Sequence, residues 1–210
     1  QDVLIEVFEE DIDPIPEWVS SYKLPGEERL SSELESIENQ LTELEQRAEK
    51  AEWYQQLLFA NDNLEHFELE EPVRDAFREI GLQVDGEVDG KRDGGIQLED
   101  ETIILEVTGR RRGVKPGKID KLAKHVAHAN QKGYCDNCTG LLVYNARRKT
   151  DPNSRSLNAD NFIGDLEDTG YKFMTSLQVY LMVSMHSKGE IEKSDVVEKL
   201  TGDDNIIEFG

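Results

Sequence analysis

The sequence predicts an α/β domain, a mixed central sheet flanked by helices, preceded by a long heptad helix. Three observations lead there. Leu30, Ile37, Leu44, Ala51 and Leu58 recur every seven residues, with Leu34, Leu41 and Ala48 at the alternate seam positions, which is coiled-coil spacing. Two short apolar runs are joined by the polar turn Glu99-Asp100-Glu101, and a third run, Gly140–Asn145, reads as a buried strand. Segments of helical period precede, separate and follow these strands, the order expected when helices cover a sheet.

At 210 residues the chain has room for one ordinary domain and an appendage. Residues 1–27 form a strand-like start and a Pro-containing connector, expected to be the remnant of an upstream region. Residues 28–60 form the coiled-coil helix, 64–186 the α/β domain and 187–210 a helical C-terminal tail. The heptad helix is expected either to form a parallel homodimer or to fold back on its own domain. No apolar run reaches the ~18 residues of a membrane span and no signal-peptide pattern opens the chain, so a soluble cytoplasmic protein is expected. Two cysteines make no disulfide framework, in keeping with a reducing compartment.

Taken in order, Asn61-Asp62-Asn63 breaks the heptad helix. A helix from about 68 to 80 follows, with Leu69, Val73, Phe77 and Ile80 as its buried stripe and Gly81 as the residue that ends it. A strand near 82–84 and the two apolar runs form a meander. A helix over 118–130, the strand 140–145, a basic loop 146–158 and a helix near 159–168 come next. The strand 172–175 leads to an apolar helix over 177–185, and a last helix presents Val196, Val197 and Leu200 on one face.

The chemistry concentrates at two strand ends. Alternation puts Glu106 and Thr108 on one face of their strand and Val107 on the other. Asp93 precedes the neighbouring strand. Two carboxylates at adjacent strand ends, opening onto a positive segment, suit a divalent cation that handles phosphate. Each also has an ordinary reading, Asp93 before two glycines as turn chemistry and Glu106 as a solvated rim residue.

Charge distribution sharpens this. The chain carries 45 acids against 24 bases, a net charge of −21. That balance repels nucleic acid globally and suits a host adapted to high salt. Between Arg110 and Arg155, however, twelve Lys/Arg stand against three acids. Arg110, Arg111, Arg112, Lys115, Lys118, Lys124, Arg147 and Arg148, with Lys121, Lys149 and Arg155 beside them, are expected to contact DNA phosphates. The i, i+3 spacing of Lys118, Lys121 and Lys124 reads equally as an exposed helix stripe. No aromatic interleaving or base-reading motif is present, so binding should be sequence-nonspecific.

Leu69-Glu70 on the leading helix, Asp93, Glu106-Val107-Thr108, the strand ending in Asn145, the basic Pro-containing loop and the segment from Thr175 to Tyr180 together resemble the PD-(D/E)XK, or restriction-endonuclease-like, nuclease superfamily. The Pro16-Glu17-Trp18 connector and the heptad helix resemble its coiled-coil-preceded members. The resemblance implies metal-dependent phosphodiester hydrolysis. Asp93 and Glu106 would bind Mg²⁺ or Mn²⁺, with Glu70 as auxiliary acid. Thr108 stands where the superfamily usually has lysine, the residue that orients the attacking water and stabilises developing charge. Lys118 and Lys121 on the next helix are the candidates to replace it, ahead of Lys115 and Arg110.

His125, His128, Cys135 and Cys138 form H-x2-H-x6-C-x2-C, four zinc-type ligands in fourteen residues, at a spacing that matches no standard zinc motif. They read either as a structural Zn²⁺ site or as helix-face histidines and free thiols. No G-x-x-x-x-G-K, G-x-S-x-G or H-E-x-x-H pattern occurs. Two functions stay open: a metal-dependent nuclease, and a catalytically degenerate module that binds nucleic acid and oligomerises.

Overall fold

The computed structural model describes residues 16–22, 26–59, 69–86, 92–109, 117–145, 147, 149–155 and 163–210. The chain divides into two compact units, 1–48 and 49–210. A 3-10 turn (Glu17–Ser21) and helix α1 (Glu27–Leu58) as far as residue 48 lie in the first, and the last turns of α1 belong to the second. Leu30, Leu34, Ile37, Leu41 and Leu44, the predicted seam, are exposed along α1. The strand-like run Val3–Phe8 and the helix break at 61–63 lie outside the described residues.

The second unit is built on a five-stranded sheet, β1 (Gln83–Asp85), β2 (Gly94–Gln97), β3 (Thr102–Gly109), β4 (Cys138–Asn145) and β5 (Lys172–Thr175), in that spatial order. β1, β2 and β3 pair antiparallel; β3, β4 and β5 pair parallel. Parallel neighbours need crossovers. Helix α3 (Gly117–Lys132) lies between β3 and β4, and α4 (Ile163–Thr169) between β4 and β5. Helices α2 (Glu70–Glu79), α5 (Ser176–Ser187) and α6 (Lys193–Thr201) complete the unit.

Strand parity sorts the core into two layers. Ile103, Leu105 and Val107 of β3, with Leu141, Val143 and Met174, pack against α2, α5, α6 and Leu57 at the end of α1. Ile104, Leu142, Tyr144 and Phe173 pack against α3 and Leu166 of α4. Glu106 shares parity with Ile104 and so faces α3. Helix and sheet approach closely there: a Cβ on Gly140 would lie 2.8 Å from the Leu122 side chain.

The stripe Leu69, Val73, Phe77, Ile80 is buried as its spacing predicts. Gly81, at φ +87, ends α2 in a Schellman turn, its N–H on the Arg78 carbonyl and the Leu82 N–H on that of Phe77. Residues 187–210 are more than a helix. Beyond α6 the chain returns to β5, where the Phe173 N–H donates to Asn205 O (2.7 Å) and the Ile207 N–H to Phe173 O (2.8 Å). Val196, Leu200, Ile207 and Phe209 all enter the α2/α5 core. Among the described residues no helix is long and apolar enough to cross a membrane.

Candidate active site

The register that sets Gly94 against Leu105 brings Asp93 beside Glu106 at the end of the β2–β3 ladder. Asp93 is held from three sides. Its N–H donates to Leu105 O (3.2 Å), its Oδ2 accepts from the Val107 N–H (2.7 Å), and its carbonyl accepts from Nη1 of Arg74 on α2. The next residue, Gly94, sits at φ +150, where a Cβ would meet Asp85 O at 2.9 Å. Glycine is required at that turn. Oδ1 of Asp93 accepts no hydrogen bond from the described residues.

Glu106 is 0% exposed. A buried carboxylate needs paired charge, and α3 supplies it. Lys118 Nζ lies 2.8 Å from Oε1; Lys121 Nζ lies 2.9 Å from Oε1 and 2.7 Å from Oε2; His125 Nδ1 lies 3.5 Å from Oε2. The Lys118 side chain is 16% exposed and that of Lys121 46%, so Lys121 is the one solvent reaches more freely. Thr108, two residues beyond Glu106 on the same face of β3, is half-buried. Two lysines from the neighbouring helix thus stand at the carboxylate.

Burial raises the Asp93 carboxyl above its ordinary range, and the charge of Glu106 adds to this; the Val107 N–H and the two lysines pull the other way. Burial alone would lower Lys121, but the hydrogen bond to Glu106 and the charges of Glu106, Asp93 and Glu70 raise it, so it stays a cation. Glu70 therefore lies in the field of this cluster, while Glu71 is occupied with Arg74 and Arg78. Burial lowers His125 from its ordinary 6.5, and the positive charge of Lys121 helps outweigh the attraction of Glu106.

Below about 6.5 the unfolded chain takes up a proton on His125 that the native state resists, so stability falls as pH drops through that window. Asp93, raised, acts oppositely, but only at lower pH near the carboxyl range. Urea denaturation between pH 7 and 5.5 should show falling stability that His125→Gln flattens.

The four zinc-type residues do not converge, which corrects that reading. The Cys135 and Cys138 sulfurs are joined to each other, so neither is a free thiol. His125 is turned to Glu106, and His128 packs edge-on to Tyr134. The helix-face reading of Lys118 and Lys121 is also corrected, since both ammoniums turn inward while Lys124 stays exposed. Arg155, expected on the phosphate surface, instead bonds the Leu58 carbonyl, Asn145 Oδ1 (2.8 Å) and Thr150 O (2.8 Å). Arg147 is half-buried; Arg110, Arg111, Arg112, Lys115 and Arg148 lie outside the described residues.

Among the described residues no three His, Cys, Asp or Glu gather to hold an ion. A cation here would rest on the two oxygen-donor carboxylates, with water and phosphate completing its shell. Mg²⁺ tolerates such a site and Zn²⁺ does not favour it. Asp93 Oδ1 and Glu106 Oε2, which accepts no well-aligned hydrogen bond, are the atoms that fit. Arg74 and Arg92 carry no motif and were not legible as site residues, and His125, read from the sequence as a zinc-type ligand, faces the Glu106 carboxylate instead.

Compared with solved structures, the chain is similar to restriction endonuclease FokI bound to DNA, with a TM-score of 0.53 and 14% identity over 93% of this chain. The fold is restriction-endonuclease-like. The match covers 36% of that FokI chain, so this chain spans about a third of its length. A second structure of FokI matches at a TM-score of 0.45 and 15% identity, over 67% of this chain and 28% of that one. At such identities the likeness concerns the fold alone. No protein-family model and no curated protein sequence matches.

Proposed function

We propose that this restriction-endonuclease-like domain is a metal-dependent nuclease acting on DNA, with the lysine role moved from the β3 position of Thr108 to α3. The observation that carries this reading is the pair of ammoniums, Lys118 and Lys121, on the buried Glu106. Asp93 and Glu106 would hold Mg²⁺ or Mn²⁺, which supplies Lewis-acid activation of the phosphate and of the attacking water. Lys121, the more accessible cation, orients that water and offsets charge developing on the phosphoryl oxygens; Lys118 holds the Glu106 carboxylate in place. Glu70 is the auxiliary acid. The test is nicking of supercoiled plasmid with Mn²⁺ or Mg²⁺. Asp93→Ala and Glu106→Ala should each lower it by about 10²-fold or more. Binding without nicking would favour the degenerate module.

The exposed apolar seam of α1 supports a homodimer through the coiled coil. Sedimentation equilibrium should give a dimer that Ile37→Asp/Leu41→Asp converts to monomer; a parent that stays monomeric at high concentration excludes it.

A further inference from the structure

Glu106 has its cationic partners, but Arg92, a further cation on the same sheet face, is not matched in the same way. Arg92 is only 8% exposed, and its Nε and Nη1 are buried without a hydrogen-bond partner. No ion pair is formed by it among the described residues. Its guanidinium lies over the Tyr134 ring, 5.3 Å from the centroid, and passes Gly95 so closely that a Cβ there would meet Nη1 at 3.4 Å. Tyr134 is 40% exposed and is packed edge-on by His128, whose Nε2 is also buried and unpartnered. Three unmet nitrogen atoms of two cationic or proton-bearing side chains thus gather about one surface tyrosine. Burying a guanidinium without a counter-charge is costly, and a bound anion would offset that cost.

The position matters. Arg92 immediately precedes Asp93, but its guanidinium reaches back to Gly95, where a Cβ would also lie 3.6 Å from the Thr102 methyl. Thr102 is four residues before Glu106, about 13 Å along β3. On α3, Lys121, His125 and His128 share one face, and the seven residues from Lys121 to His128 span about 10 Å. Strand and helix agree on the separation, which is a few nucleotide steps at the roughly 3.4 Å rise of one strand.

Resting on the nuclease reading above, we propose that Arg92, with His128 and under Tyr134, is a second phosphate-binding subsite. It takes a backbone phosphate of DNA a few nucleotides from the one at Asp93 and Glu106. It is a binding and positioning element that holds the strand in line with the carboxylates.

The test is metal-free, so it is separate from cleavage. Binding of a short DNA duplex by the full chain is measured against salt in EDTA, and inorganic phosphate is titrated in a thermal-unfolding assay. Arg92→Gln should weaken duplex binding about 10-fold and reduce the slope of log K against log salt by about 0.9, one phosphate. It should also abolish the rise in Tm with phosphate, whereas Arg92→Lys retains the slope. An unchanged slope in a folded Arg92→Gln, or no response of the parent to phosphate, overturns the subsite. A changed slope in a chain that never nicks plasmid keeps the subsite and refutes the nuclease reading.

Discussion

Replacing Lys118 and Lys121 together by methionine should destabilise the domain by about 3 kcal/mol and remove plasmid nicking. Glu106 is fully buried, and those two ammoniums are its hydrogen-bonding partners. Without them its remaining nitrogen neighbour among the described residues is His125, which burial holds below its ordinary 6.5. A buried ion left without its partner costs roughly 3–5 kcal/mol, and the lower end applies because Lys121 is half exposed and its pairing partly screened. For a unit of this size that corresponds to a Tm lower by roughly 6–12 °C. The triple variant that adds Glu106→Met should recover most of the stability, since apolar replacement of a whole buried ion cluster is often neutral. It should recover none of the nicking. Calorimetry on the parent and the two variants checks the stabilities; a triple variant no more stable than the double would contradict them.

Asn145→Ala should cost about 2–4 kcal/mol. The last carbonyls of a helix have no partner within it, and at the end of α1 two other elements provide them. Asn145, 1% exposed at the end of β4, donates from Nδ2 to Leu57 O (3.0 Å) and accepts from Arg155 Nη1. Arg155 reaches Leu58 O with its other terminal nitrogen. Removing the amide leaves a buried carbonyl and a guanidinium nitrogen unpaired at once, each worth about 1–3 kcal/mol. Urea denaturation gives the magnitude, and hydrogen exchange should show the loss of protection concentrated in the last turn of α1. A loss below about 1 kcal/mol would mean that water replaces the amide freely.

The fold was largely legible because its signals are periodic. The 3.6-residue stripe of α2, the alternation in β3 and the glycine after Ile80 each have one physical reading, and the structure follows them. Of the candidate site, the proximity of the two carboxylates was legible, since an acid ending an apolar strand is conspicuous. The lysines were harder. Their i, i+3 spacing suits a solvated stripe equally well, and what turns them inward is the parity of Glu106 with Ile104, which packs on α3. Arg155 misled because a local charge count cannot tell a phosphate ligand from a helix cap. The histidines and cysteines misled because ligand-like spacing along the chain says nothing of which neighbour each side chain meets. Arg74 and Arg92 gave no signal at all: their partners, the Asp93 carbonyl and the Tyr134 ring, are nineteen and forty-two residues away.

Whether a lysine from α3 serves the carboxylate pair is decided by plasmid nicking with Mn²⁺ for the parent, Lys121→Met alone, and Lys121→Met with Thr108→Lys. The single variant retains Lys118 on Glu106 and should stay folded. The parent should nick, removal of Lys121 should cost about 10²-fold, and lysine supplied from β3 should restore part of the activity. Undiminished nicking by Lys121→Met, or a parent that binds DNA and never nicks it, would refute a catalytic role for the α3 lysine.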